Sequence, residues 1–158
     1  MIDLSTFDNS NFDRGAPKWK EALWLLVRSL VFASWLPWPS SLKVGILRAF
    51  GAQVGHGVVI RSRVSISFPW NIEIGDHVWI GDEVAILTLG RVSIGNNSCV
   101  SQRAYLCTGS HDWNKTAFDL IVKPILLKQS CCAGAQSFVG QGVTMEDGSR
   151  WLAGSVLV

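Results

Sequence analysis

A chain of 158 residues with a formal charge of +2 suits one domain with a sizeable core, and 48% apolar against 16% charged residues excludes disorder. No run of Lys and Arg forms a stripe able to track phosphates, so no nucleic-acid partner is expected. The four cysteines, Cys99, Cys107, Cys131 and Cys132, lack the spacing of a zinc site, so no metal is expected.

Residues 1–50 read as a helical arm. Trp19, Trp24, Trp35 and Trp38 fall in or beside the apolar run ALWLLVRSLVFASWL (22–36). Pro17 suits the first turn of a helix there and Pro37 ends it. A second short helix is expected from about Ser40 to Phe50, with Gly51 as its stop. The run carries Arg28 in its middle and falls short of the roughly 20 residues needed to cross a bilayer. The N-terminus MIDLSTFD has no basic region ahead of an apolar one, so no export is expected and the thiols read as those of a reduced cytoplasmic protein. Two readings of the arm stay open. It packs on the rest of the protein, or residues 19–38 lie in a membrane interface, where Trp and Arg are at home.

Residues 51–158 follow a different rule. An aliphatic residue returns every six positions, as Val54, Ile60 and Ile66, then Ile74, Ile80 and Ile86, then Ile94, Val100 and Leu106. The gaps run 6, 6, 8 and repeat, which gives a larger period of 20. After Leu127 the rule resumes through Ala133, Val139, Met145, Trp151 and Leu157. This spacing fits neither a helix nor hairpins, and predicts an all-β fold, a parallel β-helix of triangular section. The aliphatic residue points inward, a small or branched residue follows four places on, and Gly or another compact residue (Gly55, Gly75, Gly81, Gly95) negotiates the corner. Adjacent Cys131 and Cys132 then face opposite sides of a strand.

Between Leu106 and Leu127 the rule lapses. The two eight-residue gaps and this longer one fall at the same corner, so the words around Phe68–Trp70, Leu89–Gly90 and the loop 107–126 are expected to stack in one column. The interior of a β-helix is filled, so a site belongs at such a corner, on a face or between subunits. The loop holds His111, a side chain whose charge changes near neutral pH and a natural general base. His56 and His77 occupy ordinary coil positions, and no three-histidine cluster for zinc is visible, which disfavours a carbonic anhydrase of the gamma class.

These hexads resemble the hexapeptide-repeat acyltransferases over residues 51–158. More narrowly, DLS (3–5), FDRG (12–15), FPWN (68–71), WIGD (79–82) and LCTGSHD (106–112) are similar to the colanic-acid, exopolysaccharide branch. The resemblance implies a left-handed parallel β-helix, a homotrimer, and acetyl-CoA as cosubstrate. It implies direct transfer of acetyl to a hydroxyl of a sugar or lipid-linked oligosaccharide at the inner face of the cytoplasmic membrane. On that reading His111 is the base. Asp112 orients the imidazole or binds a sugar hydroxyl, Ser110 is a less favoured nucleophile, and Trp113 stacks on a sugar ring or anchors the loop against Trp70 or Phe118. Gly134, Ala135, Gly140, Gly142, Ala153 and Gly154 line the approach of CoA. The words CCA (131–133) and RWL (150–152), and Gln141 in place of a common Pro, depart from the family pattern. If those altered coils no longer hold CoA, the alternative is a non-catalytic β-helical scaffold.

Overall fold

The computed structural model describes residues 2–10 and 12–158. The hexads wind into a prism with three parallel five-stranded faces. The first face stacks β1 (Gln53–Val54), β4 (Ile72–Ile74), β7 (Val92–Ile94), β12 (Ile125–Leu127) and β15 (Thr144–Met145). The second stacks β2 (Val59–Ile60), β5 (Trp79–Ile80), β8 (Cys99–Val100), β13 (Cys132–Ala133) and β16 (Arg150–Trp151). The third stacks β3 (Ser65–Ile66), β6 (Ala85–Leu87), β9 (Tyr105–Cys107), β14 (Phe138–Val139) and β17 (Val156–Leu157). A two-stranded antiparallel ribbon, β10 (Gly109–His111) with β11 (Leu120–Val122), projects between β9 and β12.

Register follows the repeat. Val54 pairs with Ile74, Ile74 with Ile94, Ile94 with Leu127 and Leu127 with Met145, so the loop is an insertion that leaves the stacking unshifted. The inward aliphatics Ile60, Ile66, Ile80, Ile86, Val100, Leu106 and Leu127 are buried, as are Val64, Val84 and Ala104 at the following small position. Cys131 faces in and Cys132 out. Trp151 keeps its register opposite Ala133, yet the residue is 42% exposed, because β16 is the terminal strand of its sheet among the described residues.

The corners are turned differently from the sequence expectation. The glycines after the inward aliphatic do not supply the turn. A Cβ on Gly55 would lie 2.7 Å from the carbonyl carbon of Gly75, and one on Gly81 2.7 Å from the Gln102 nitrogen. They are glycine because the next coil's backbone passes too close for a side chain. The bend itself falls two residues later, at positive φ. Arg63, His77, Glu83, Asn97, Arg103, Ser130 and Gln136 take that conformation, as do Gly57, Gly142, Gly148 and Gly154.

The arm closes one end of the prism. It is not one continuous α-helix: α1 (Lys18–Val27) passes into a widened π turn over Arg28–Phe32, closed by an Ala33 N–H bond to the Arg28 carbonyl, before α2 (Ser40–Ala49). Pro17 and Pro39 immediately precede α1 and α2, and Gly51 follows α2 at φ +101°. Side chains of the arm satisfy the open edge of each first-coil strand. Arg48 donates to Val54 O at 2.7 Å on β1. On β2 the Ser40 hydroxyl accepts from Ile60 N at 3.0 Å, while Lys43 Nζ donates to Ile60 O at 3.4 Å and to Arg61 O just beyond it at 2.7 Å. Trp24 Nε1 donates to Ile66 O at 3.0 Å on β3. Trp24, Phe32, Val44 and Leu47 join the prism core, and burial pushes the Lys43 ammonium below the ordinary lysine range. Edges that would template further pairing are thereby closed.

Candidate functional site

The bulged corner lies where the third face passes into the first. Its bulges stack through two fully buried threonines one coil apart. Thr88 Oγ1 accepts from Phe68 N at 2.7 Å and donates to Phe68 O at 2.9 Å. Thr108 Oγ1 accepts from Gly90 N at 2.9 Å and donates to Leu87 O at 2.6 Å. Asn71 Nδ2 donates to Thr88 O at 3.0 Å. The expected column therefore exists, and this ladder holds it. Sequence reasoning passed over both threonines, although their separation equals the coil period.

From this base the ribbon lifts His111 out of the prism, opposite Leu120. The turn beyond it is closed by Asp112, whose Oδ1 accepts from Asn114 N at 3.0 Å and whose N–H donates to Asp119 O at 2.9 Å. The imidazole is oriented by another group. His111 Nδ1 lies 2.9 Å from the Phe118 carbonyl oxygen. A carbonyl only accepts, so Nδ1 carries the proton and the neutral ring keeps its lone pair on Nε2. Phe118 also stacks under the ring, with centroids 4.2 Å apart and planes 5° from parallel. Its φ of +53° brings the carbonyl round to the imidazole. Phe7 meets the imidazole edge-on at 5.4 Å, and Asp3 N donates to Thr116 O at 2.9 Å, so the start of the chain is laid over the loop. Neither Phe7 nor the Phe118 carbonyl was legible in the sequence, since a backbone acceptor has no residue signature and residue 7 is remote in the chain.

The other candidates divide by location. Ser110 lines a cavity of about 300 Å³ with Cys107, Gly109, Lys123, Phe138, Gly140 and Gln141. The Gln141 Oε1 in this wall is buried with no partner among the described residues. Gly142, at φ +80°, sits over Lys123 at the same corner. Gly134, Ala135, Ala153 and Gly154 lie at the next corner, between the second and third faces, so the six small residues flank the β14 face rather than form one track. Gly134 is packed against the coil above, where a Cβ would lie 2.5 Å from Trp151 O. Trp113 is 70% exposed and edge-on to Phe118 at 4.9 Å. Trp70 is held by the arm, with Nε1 donating to Arg14 O at 2.6 Å and Lys20 Nζ 5.0 Å from its ring centre. Among the described residues, no group of three or more His, Cys, Asp or Glu is placed to hold a metal.

No family model matches the chain. It is 42% identical over 154 residues to WcaF of Escherichia coli K12, a candidate colanic acid biosynthesis acetyltransferase, with 94% of this chain and 82% of that protein aligned. The chain belongs to the colanic acid acetyltransferase family. The Shigella flexneri protein of the same name matches equally. In fold, this family member superposes on a hexapeptide-repeat acetyltransferase of Vibrio cholerae, solved with acetyl coenzyme A, with a TM-score of 0.81 and 21% identity over 98% of this chain and 85% of that one. A galactoside acetyltransferase solved with coenzyme A gives a TM-score of 0.73 at 21% identity, over 85% of this chain and 68% of that one.

Proposed function

We propose that this protein transfers acetyl from acetyl-CoA to a sugar hydroxyl during bacterial exopolysaccharide assembly, with His111 Nε2 as general base. The observation that carries the reading is the bond from His111 Nδ1 to the Phe118 carbonyl, which fixes the tautomer and leaves Nε2 to accept a proton. The acceptor oxygen attacks the thioester carbonyl carbon as Nε2 removes its proton. The tetrahedral intermediate then expels the CoA thiolate, which takes the same proton back. A backbone N–H of the neighbouring glycine-containing turn is the donor available to the oxyanion.

The cavity beside Ser110 suits a narrow acyl-pantetheine arm, because the unpartnered Gln141 Oε1 in its wall offers an acceptor to an amide N–H. In this reading the arm passes along the β14 face between the Gly140 and Gly134 corners, with a neighbouring subunit of a homotrimer as the second wall. Trp113, the exposed aromatic nearest the base, is the surface for a sugar ring. The acceptor is a free or lipid-linked sugar at the cytoplasmic side of the membrane, and residues 19–38 supply peripheral contact with that membrane. No helix among the described residues is long and apolar enough to cross it.

The test is a thiol-release assay with acetyl-CoA and an acceptor panel. His111→Ala is expected to lower turnover by roughly 10² to 10⁴ while leaving CoA binding, measured by calorimetry, unchanged. A loss below tenfold would move the proton transfer elsewhere. Wild-type protein that gives no heat with CoA would return the chain to the scaffold reading.

A further inference from the structure

The helical arm has two apolar faces, and the prism covers only one. Trp24, Val27, Val31 and Phe32 turn inward against the first coil. Trp19, Leu23, Leu26 and Leu30, at helical spacing on the opposite side, are 68%, 46%, 58% and 60% exposed. Trp35 and Leu36 continue the surface at 74% and 58%. A helix that caps a soluble domain ordinarily turns a polar face to water. This one turns leucine and tryptophan outward.

Charge is distributed to match. Between residues 14 and 72 the sequence carries eight Lys and Arg and one acid, Glu21, whereas the rest of the chain has six bases and eleven acids. Arg14 takes up Glu21 at 3.0 Å, and Arg61 and Arg63 pair with Asp82 and Glu83 of the next coil. Lys18, Lys20, Arg28 and Arg48 form no ion pair among the described residues. The apolar face thus belongs to the basic part of the chain, with the exposed Lys18 directly before Trp19.

We propose that the outer face of the arm is a docking surface for an anionic phospholipid layer. The proposal deepens the membrane contact of the reading above by naming the lipid class and the face. Apposing two such faces from two copies would bring like charges together, whereas a layer of anionic headgroups neutralises them. The fifteen helical residues, ten in α1 and five in the π turn, span about 22 Å at 1.5 Å each. They lie along an interface, with leucines in the acyl boundary and tryptophans and cations at headgroup level. The capped end of the prism then faces the bilayer, and the coils rise away from it.

Sedimentation of the full chain with vesicles tests this directly. Binding is expected to vesicles of phosphatidylcholine mixed with phosphatidylglycerol, and to weaken as salt rises. It should be far weaker on phosphatidylcholine alone. The triple variant Leu23→Ser, Leu26→Ser, Leu30→Ser touches only the outer face, and should lose roughly tenfold or more in partitioning with an unchanged melting temperature. Should that variant fail to fold, Lys18→Glu with Arg28→Glu should give the same loss on the mixed vesicles. Absence of binding to either vesicle, or binding that ignores phosphatidylglycerol and salt, overturns the proposal. So does a triple variant that lowers the oligomeric state of the lipid-free protein in light scattering, since a second copy would then cover the face. Acetyl transfer to a soluble acceptor, assayed in parallel, separates failure of the lipid site from failure of the enzymatic reading.

Discussion

At the scale of single residues, the proposed chemistry turns on Phe118 as much as on His111. The Phe118 ring lies 4.2 Å beneath the imidazole and its carbonyl meets Nδ1 at 2.9 Å, both held by a backbone at φ +53°, a region a bulky side chain enters only under constraint. In the proposed mechanism Phe118 is a positioning residue, acting through His111 and not on the acceptor. Phe118→Ala should lower kcat by about tenfold, with KM for acetyl-CoA nearly constant, because a base a few tenths of an ångström off line still permits binding but not efficient proton transfer. Phe118→Tyr should restore most of the rate. A merely structural role would show as a lower melting temperature with kcat retained. His111 itself could be picked from the sequence because it stands in a lapse of the repeat. The orienting group could not, because it is a main-chain oxygen.

At the scale of elements, the coil divides its demands between two positions that sequence reading merges. The glycines that follow Val54, Ile74, Ile80 and Ile94 are required by the approach of the next coil, and the residue two places later is required by the turn. Opposite mutational signs follow. Gly81→Ala forces a methyl to 2.7 Å from the Gln102 backbone nitrogen and should destabilise by about 1–3 kcal/mol. Gln136→Gly, at φ +58° on an exposed corner, should stabilise by up to about 1 kcal/mol, the relief of positive φ offset by added freedom in the unfolded chain. Thermal melts of the two variants check both signs. A fall in both would mean that Gln136 holds its corner through its side chain.

At the scale of the whole molecule, stability depends on closing the prism end. Trp24 joins the core and bonds Ile66 O, so Trp24→Ala should cost about 3–5 kcal/mol, read from denaturant unfolding. Deleting residues 1–38 removes this cap from β3 and should yield protein that aggregates in light scattering. A well-behaved truncated protein would show that α2 alone suffices. For the intact chain light scattering should give a trimer. A monomer at concentrations where acetyl transfer is seen would defeat the shared cleft of the proposed mechanism.

The solenoid was legible because its restraints are local and repeated. Every coil repeats the same inward register, so Val54, Ile74 and Ile94 announce their stacking, and a lapse such as 107–126 stands out against the period. For the same reason the bulged corner could be placed from the sequence. The insertion after Leu106 leaves the register intact because it projects outward and asks nothing of the core. What the repeat could not specify are contacts between segments far apart in the chain that involve backbone atoms. The hold of Arg48, Ser40, Lys43 and Trp24 on the first coil, the Asp3 bond to Thr116 and the Phe118 carbonyl on His111 are of that kind. The arm's composition left packing and membrane contact as rivals because its hydrophobicity runs around the helix. Only packing on the prism, which hides Trp24 and leaves Trp19 outside, separates an inward face from an outward one.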